Sequence, residues 1–392
     1  MFAYGFLSVV LVLYLAQLGY STGLIGLLLS LTLFGDAAIS LWMTTTADRA
    51  GRRRILVTGA GLMVFAAFLF AITNRFELLM IAAIIGVISP SGNEVGPFLA
   101  VEQAVLSQIV PGQQRTQIFA WYTLVGSCAT AVGALAAGNL TQILLKAGVP
   151  PLNSYRSVII IYGLIGLLLI PFFVRLSSSV EAPQPVTVSV QSRLGLHRSR
   201  ATIYKLSALF GLDAFAGGFV VQSVVAYWFH IRFGAEPAEL GTIFFGANIL
   251  AGISALAAAP VAARIGLVNT MVFTHLPSNI LLALVPLMPN LPLAIAVLLI
   301  RFSISQMDVP ARQSYTMALV SRDERAAAAG VTGIVRSVGA AISPTLAGLL
   351  LSNPALFAAP FLLSGGLKIV YDILLYRNFR TVPERHPESA TT

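Results

Sequence analysis

Long apolar stretches separated by short polar turns make up almost the whole chain. Each is long and apolar enough to predict a membrane-spanning helix, since about 20 residues cross the hydrocarbon core of a bilayer. The twelve stretches lie near 2–19, 22–46, 55–73, 77–106, 115–145, 154–175, 203–230, 237–262, 267–287, 291–319, 325–351 and 354–376. The pattern predicts an all-α membrane protein with twelve transmembrane helices.

One long polar connection divides the predicted helices into two sets of six. It contains Pro183, Pro185 and several basic residues and lacks helical periodicity, which is typical of a flexible linker. The predicted domains are an N-terminal six-helix bundle at 1–176, a cytoplasmic linker at 177–202, a C-terminal six-helix bundle at 203–380 and a disordered tail at 381–392.

The two sets of six resemble each other in sequence. Offsets of 215 and 210 residues align Gly26 with Gly241, Gly51 with Gly266, and Gly138 with Gly348. Such a repeat predicts two pseudo-symmetric bundles with a binding site at the midplane between them. The same alignment places the start of the first helix before Met1. Two explanations stay open: the start of the chain is misplaced or truncated, or the first helix is short.

The low charge content excludes an ordinary soluble domain. Charged residues are 10% of the chain and apolar residues 57%, with a mean hydropathy of +0.85, whereas soluble domains have roughly 25% charged residues. The net charge of +9 is concentrated in loops and the tail, so we interpret it as a topology signal and expect no nucleic acid partner. It predicts a multi-pass protein of the cell membrane with both termini cytoplasmic.

A dense basic loop separates the second and third predicted helices. Its sequence from Asp48 to Arg54 is Asp-Arg-Ala-Gly-Arg-Arg-Arg, which resembles the Gly-x-x-x-Asp-Arg-x-Gly-Arg-Arg loop signature of the major facilitator superfamily. The leading Gly of the signature is Thr44 here. The resemblance implies the twelve-helix fold of that family, alternating access, and a cytoplasmic gate that meets the start of helix eleven. The gate residues that it implies are Asp48, Arg49, Gly51, Arg52 and Arg53.

Ionisable groups inside spanning helices are costly and are therefore functional candidates. The predicted fourth helix contains Pro and Gly at mid-membrane, which predicts a broken helix beside a protein-lined or wet cavity. Glu94 there suits proton exchange; the alternative is a protonated Glu that holds the kink. The candidate substrate and proton pathway comprises Asn93, Glu94, Glu102, Asp213, Arg301, Asp308, Arg312 and Asp36.

Spacing and the repeat suggest partners for some of these groups. The repeat places Glu102 and Arg312 at equivalent positions, so they are expected to pair across the central cleft and gate it; a static surface pair is the alternative. Arg301, Asp308 and Arg312 share one stripe on a straight helix, a geometry that Pro310 is expected to distort.

Four further ionisable groups lie in the C-terminal set of helices. Lys368 and Asp372 are four apart and can neutralise each other. We interpret His275 as a satisfied buried histidine rather than a proton relay, and we expect Arg336 to pair with an acid on another helix.

The sequence lacks the motifs of the common energy-transducing and hydrolytic sites. It has no phosphate-binding Gly-x-x-x-x-Gly-Lys loop, no nucleophile elbow and no His/Cys metal spacing. We therefore expect no enzyme activity, no cofactor and no metal.

The expected function is secondary active transport of a small organic solute by alternating access, with proton coupling. The Gly-rich fifth helix partly resembles an antiporter signature and slightly favours efflux. Expected partners are the solute, protons and membrane lipid, and the expected state is a monomer. An uncoupled facilitator and a non-transporting receptor or scaffold remain alternatives.

Overall fold

The computed structural model describes residues 1–92, 97–110, 115–177, 180–181, 199–321 and 324–381. The predicted linker and tail therefore lie mostly outside the described residues. The helices of the first half are α1 (Phe2–Ser8), α2 (Leu11–Gln17), α3 (Thr22–Ala50), α4 (Arg52–Ile72), α5 (Phe76–Ile85), α6 (Pro97–Ile109), α7 (Arg115–Lys146) and α8 (Pro151–Val174).

The second half of the chain has the same succession of helices. They are α9 (Arg200–Gly218), α10 (Gln222–Phe233), α11 (Pro237–Ile265), α12 (Leu267–Leu284), α13 (Leu291–Ile304), α14 (Asp308–Ala318), α15 (Arg325–Leu350) and α16 (Ala359–Phe379). The boundaries agree with the apolar stretches of the sequence to within a few residues, and the predicted all-α class is confirmed.

Twelve crossing segments arise because four of them are built from two helices each. The first, fourth, seventh and tenth segments are α1–α2, α5–α6, α9–α10 and α13–α14. Ten helical stretches of the described chain are long and apolar enough to span a bilayer, while Phe2–Gln17 and Phe76–Ile85 are shorter apolar helices. The break predicted in the fourth segment is present, since α5 ends at Ile85 and α6 begins at Pro97.

Two tight turns related by the repeat reverse the chain at one end of the bundle. Gly51 joins α3 to α4 with φ +96°, and Gly266 joins α11 to α12 with φ +86°. Glycine adopts this region without the steric cost that a side chain carries. We call this end, which also carries Arg264 and Arg377, the basic end, and the opposite end the distal end.

The two halves meet at two helix crossings that the repeat makes equivalent. Gly26 of α3 packs on Gly348 of α15, and Gly138 of α7 packs on Gly241 of α11. A Cβ on Gly26 or Gly138 would lie 2.3 Å from a backbone oxygen of the opposing helix. Small residues allow such close approach of helices inside a membrane. Gly26 aligns with Gly241 and Gly138 with Gly348, so the glycine repeat seen in the sequence forms two related contacts.

The short first segment lies at the centre of this arrangement. Gly5 of α1 faces the backbone of Thr130 on α7. Ser223 of α10 donates its hydroxyl to the backbone oxygens of Ser8 and Pro90, at 2.7 Å each. Ser8 and Ser223 are related by the 215-residue offset, so the repeat-related broken segments touch each other between the halves.

Candidate functional site

The C-terminal half contains a buried cluster of charges centred on Asp213. This aspartate lies inside α9, with 4% of its surface exposed. Its carboxylate is 2.5 Å from Nζ of Lys368 on α16 and 3.0 Å from a guanidinium nitrogen of Arg312 on α14. Arg336 of α15 lies 3.5 Å away and keeps a third of its side chain exposed. One carboxylate therefore binds three cations from three helices.

A second set of polar groups extends the cluster towards α12. His275 is 2.9 Å from Asp372 through Nδ1 and 3.8 Å from Asp213 through Nε2. Asn279, one turn along α12, donates to the other oxygen of Asp372 at 2.8 Å. Asp372 is fully buried, so these bonds replace the hydration that its carboxylate has lost.

The remaining predicted residues of the tenth segment separate at its break. Asp308 pairs with Arg312 at 3.1 Å, one turn apart on α14. Arg301 lies on α13, beyond the break at Ser305–Met307. Its guanidinium carbon is 4.9 Å from the ring centre of Phe302, and its buried Nε lacks a hydrogen-bond partner among the described residues. The single stripe expected for a straight helix therefore does not form.

The four-residue spacing of Lys368 and Asp372 suggested that they neutralise each other, and the structure gives each of them a different partner. Lys368 binds Asp213, and Asp372 binds His275 and Asn279. The two side chains are one turn apart on α16, but Asp213 and His275 approach from other helices. Spacing along one helix does not reveal a competing partner on another.

The acids predicted in the N-terminal half lie apart from this cluster. Asp36 on α3 is half-buried and accepts from Ser40 at 3.4 Å. Glu102 on α6 accepts from the hydroxyl of Tyr122 at 2.7 Å. Asn93 and Glu94 lie outside the described residues.

The structure does not bring Glu102 and Arg312 together as an ion pair. The described partners of Arg312, Asp213 and Asp308, belong to its own half. The pair across the cleft stays a prediction for another conformation.

The basic loop makes its described contacts with the N-terminal half and the start of the linker. Glu181 accepts hydrogen bonds from the backbone nitrogens of Arg52 at 2.7 Å and Arg53 at 3.4 Å. The Arg52 guanidinium donates to Gln108 at 2.8 Å. The carboxylate lies at the N-terminus of α4, where the helix dipole favours negative charge. The side chains of the other gate candidates Asp48 and Arg49 lie outside the described residues.

The start of α15, where the resemblance places the partner of the gate, carries a buried acid. Glu324 accepts from the backbone nitrogen of Ser199 at 3.3 Å and from the hydroxyl of Ser321 at 3.2 Å. These described contacts stay within the C-terminal half. The gate between halves therefore remains a prediction.

The described contacts between the halves lie in the distal half and the middle of the bundle. They include Thr22 with Ser352, 2.8 Å between hydroxyls, and Gln142 with Glu236 at 2.9 Å. Towards the basic end, an added Cβ at Gly330 or Gly333 of α15 would meet open space. Within the part of the chain that the structure describes, the two halves are thus joined in the distal half and the middle of the bundle.

Comparison with known proteins agrees with this architecture. A family model described as Major Facilitator Superfamily matches residues 1–234 and 206–392. The chain belongs to the Major Facilitator Superfamily. The resemblance inferred from the basic loop and the helix count is thereby confirmed, and with it the twelve-helix transporter fold.

Individual proteins show different degrees of similarity to this chain. The uncharacterized membrane protein YJR124C of Saccharomyces cerevisiae (strain ATCC 204508 / S288c) is 30% identical over 403 residues, covering 95% of this chain and 90% of that protein. The quinolone resistance protein NorA of Staphylococcus aureus (strain Mu50 / ATCC 700699) is 25% identical over 139 residues. The match covers 36% of this chain and 34% of NorA.

A solved transporter has the same fold at low sequence identity. The crystal structure of a D-xylose-proton symporter superposes with a TM-score of 0.73 at 15% identity, covering 98% of this chain and 95% of that chain. The family model and the apolar helices together show a multi-pass membrane protein of the Major Facilitator Superfamily.

Several residues of the cluster were not among the pathway candidates taken from the sequence. They are His275, Asn279, Arg336, Lys368 and Asp372. These residues could have been found from the sequence by their chemistry, since each is a polar or ionisable group inside an apolar stretch. The four-residue spacings on α12 and α16 indicated paired positions but could not show which helices supply the partners.

Proposed function

We propose that the protein is a secondary active transporter that couples the movement of a small organic solute to protons. The observation that carries the proposal is the network around Asp213. A carboxylate bound by cations of three helices is costly to bury. It becomes useful where solute or proton binding exchanges those partners during the transport cycle.

The position of Asp213 suits this role. It lies on α9, five residues before the end of that helix at Gly218, and α10 resumes at Gln222. Breaks of this kind are tolerated where protein or a wet cavity satisfies the freed backbone groups. A change at the carboxylate therefore acts on the segment that touches the N-terminal half through Ser8 and Pro90.

The distribution of charge favours an amphipathic or zwitterionic solute. The half-buried ionisable groups of the described residues include the acids Asp36 and Glu102 in the N-terminal half and the cation Arg336 in the C-terminal half. A solute with separated positive and negative groups complements this mixture of charges. Glu94 remains a proposed additional proton site.

The coupling and the direction draw support from the names of similar proteins. The symporter with the same fold is named for proton coupling, and NorA is named for quinolone resistance. We therefore favour efflux. Basic loops resist translocation, so we place the basic end and both termini in the cytoplasm. The basic end, where α15 has open space beside Gly330 and Gly333, then faces the cytoplasm as an opening in this conformation, and the gate around Asp48 and Arg52 closes it in the next.

The test begins with a thermal-shift screen of organic solutes on purified protein, with a quinolone and D-xylose among the probes. A hit should disappear in Asp213→Asn and Arg312→Ala and persist in Glu77→Gln, which changes an exposed acid at the distal end. Wild-type protein in vesicles should then move the hit against its gradient when a pH gradient is imposed. A protonophore should abolish this movement.

The other possible outcomes identify other functions. Counterflow that ignores the pH gradient would identify an uncoupled facilitator. Binding without any counterflow would identify a receptor or scaffold built on the transporter fold.

A further inference from the structure

His275 lies between two buried aspartates that belong to two other helices. Its Nδ1 is 2.9 Å from Oδ1 of Asp372 on α16, and its Nε2 is 3.8 Å from Oδ1 of Asp213 on α9. Only 5% of the residue is exposed. Both ring nitrogens therefore face carboxylate oxygens in a place where bulk water cannot satisfy them.

The protonation state of the imidazole decides whether both contacts are favourable. A neutral imidazole has one N–H donor and one acceptor nitrogen, whereas an imidazolium has two donors. Asp372 also accepts from Asn279 at 2.8 Å, which holds its carboxylate beside Nδ1. With a neutral ring that donates to Asp372, the lone pair of Nε2 would face the Asp213 carboxylate. With the other tautomer, Nε2–H faces Asp213, and the lone pair of Nδ1, which also lies 3.1 Å from the amide nitrogen of Asn279, faces Asp372. Only the imidazolium attracts both acids when both are ionised.

We propose that His275 is a proton-binding site of the C-terminal half, in place of the satisfied buried histidine that the sequence suggested. This inference rests on the proposed proton coupling and names a residue for it. In the protonated state Nδ1–H binds Asp372 and Nε2–H faces Asp213, so α12 is tied to both α16 and α9. The Nε2 proton is released when a conformational change of the transport cycle admits water to the cluster. The neutral ring keeps its bond to Asp372 and loses its attraction to Asp213.

Charges of both signs surround His275. Two carboxylates contact the ring, and the edge-to-face Tyr371 ring lies 5.8 Å from it between centres. The cations bound to the acids of the cluster oppose a further positive charge. Among the described residues, the charged and titratable groups of the cluster that contains His275 are Asp213 on α9, Asp308 and Arg312 on α14, Arg336 on α15, Lys368, Tyr371 and Asp372 on α16, and Arg301 on α13.

This arrangement links the proton to the charge of the solute. A cationic group that binds Asp213 weakens the attraction that holds the proton on His275, which gives exchange of solute for proton. An anionic group that draws Arg336 away from Asp213 strengthens the same attraction, which gives movement of both in one direction. The sign of coupling therefore follows from the solute charge.

The proton site can be tested without knowing the solute. Purified full-length protein carrying 15N-histidine contains four histidines, and the two ring nitrogens have similar chemical shifts in an imidazolium and widely separated ones in a neutral ring. The His275 signal, assigned by its loss in His275→Gln, should show the imidazolium pattern and lose it as the pH rises. Asp213→Asn should weaken proton binding about tenfold or more, lowering the midpoint by at least about one pH unit.

His230 of α10 is a matched control inside the same protein. Its Nδ1 lies 2.9 Å from the backbone oxygen of Ala235 rather than a carboxylate, so its titration should not respond to Asp213→Asn. If Asp213→Asn does not fold, Asp372→Asn removes the other acid and should weaken proton binding in the same way.

Two results would overturn the inference. One is a His275 ring that stays neutral between about pH 5 and 9; the other is a midpoint that ignores the loss of either acid. If His275 titrates but transport is unaffected by a pH gradient, the proposed coupling is refuted and the proton site is not. A neutral His275 in a protein driven by a pH gradient would refute only this inference.

Discussion

Replacing Asp213 by Asn should destabilise the protein strongly, because the cations around it would lose their shared counterion. Asn keeps the size of the side chain and removes the charge. Lys368 and Arg312, at 2.5 and 3.0 Å, and Arg336, at 3.5 Å, would then repel one another across a neutral amide. Of these three cations, only Arg312 would still have an acidic partner among the described residues, namely Asp308.

The size of the effect follows from what breaking a buried ion pair costs. Removing one partner of such a pair typically costs about 3–5 kcal/mol, because the remaining charge stays buried. The exposed third of Arg336 allows water to solvate that cation, so we expect about 4 kcal/mol rather than a multiple of it. With an unfolding entropy scaled to the 392 residues of the chain, the loss corresponds to a fall in Tm of about 5 °C.

The single cysteine provides the assay. Cys128 is half-buried in α7, so a thiol-reactive dye reports unfolding of the detergent-solubilised protein. Glu77→Gln, an exposed acid outside the cluster, should leave Tm within about 1 °C of the wild type. Adding Lys368→Met to Asp213→Asn removes one of the uncompensated cations and should recover part of the loss.

Two results would refute the reasoning about the cluster. One is an Asp213→Asn protein as stable as the wild type, which would mean that the cations are solvated rather than buried. The other is a double variant less stable than Asp213→Asn, since the ammonium would then stabilise the fold without the acid.

Three further variants test the packing that positions the site. Gly138→Val should push α7 and α11 apart at the distal crossing and lower the free energy of unfolding by about 1–3 kcal/mol or more. Its control is Gly366→Val, where an added Cβ meets open space, and this variant should have a much smaller effect in the same thermal assay. Glu181→Ala removes the acceptor at the start of α4 and should cost about 0.5–2 kcal/mol; an unchanged Tm would exclude a capping role. Tyr162→Phe deletes the hydroxyl that binds the Val87 oxygen at the break of the fourth segment. It should lower the free energy of unfolding by about 1 kcal/mol and speed amide hydrogen exchange at the break. Unchanged exchange would show that other contacts hold the break.

The sequence was sufficient for the class, the helices and the symmetry of the fold. Apolar stretches of about 20 residues have few stable structures other than membrane helices, so local composition decides them. Gly51 and Gly266 were recognised as equivalent and form equivalent turns. The aligned glycines at 26 and 241 lie in two separate crossings, and which helix each one packs on required the structure.

The candidate site was predicted only in part. The sequence identified Asp213, Asp308 and Arg312 because a charge in an apolar stretch is conspicuous on its own. It could not assign Lys368 to Asp213 or His275 to Asp372, since these bonds join helices far apart in the chain.

Hydrophobicity along the chain therefore determined that this protein crosses a membrane twelve times in two related halves. Only the tertiary structure decided which buried charges neutralise one another. A charge inside a membrane binds whichever opposite charge the packing brings within a few ångströms, and that distance is set by the crossing of helices rather than by spacing along any one of them.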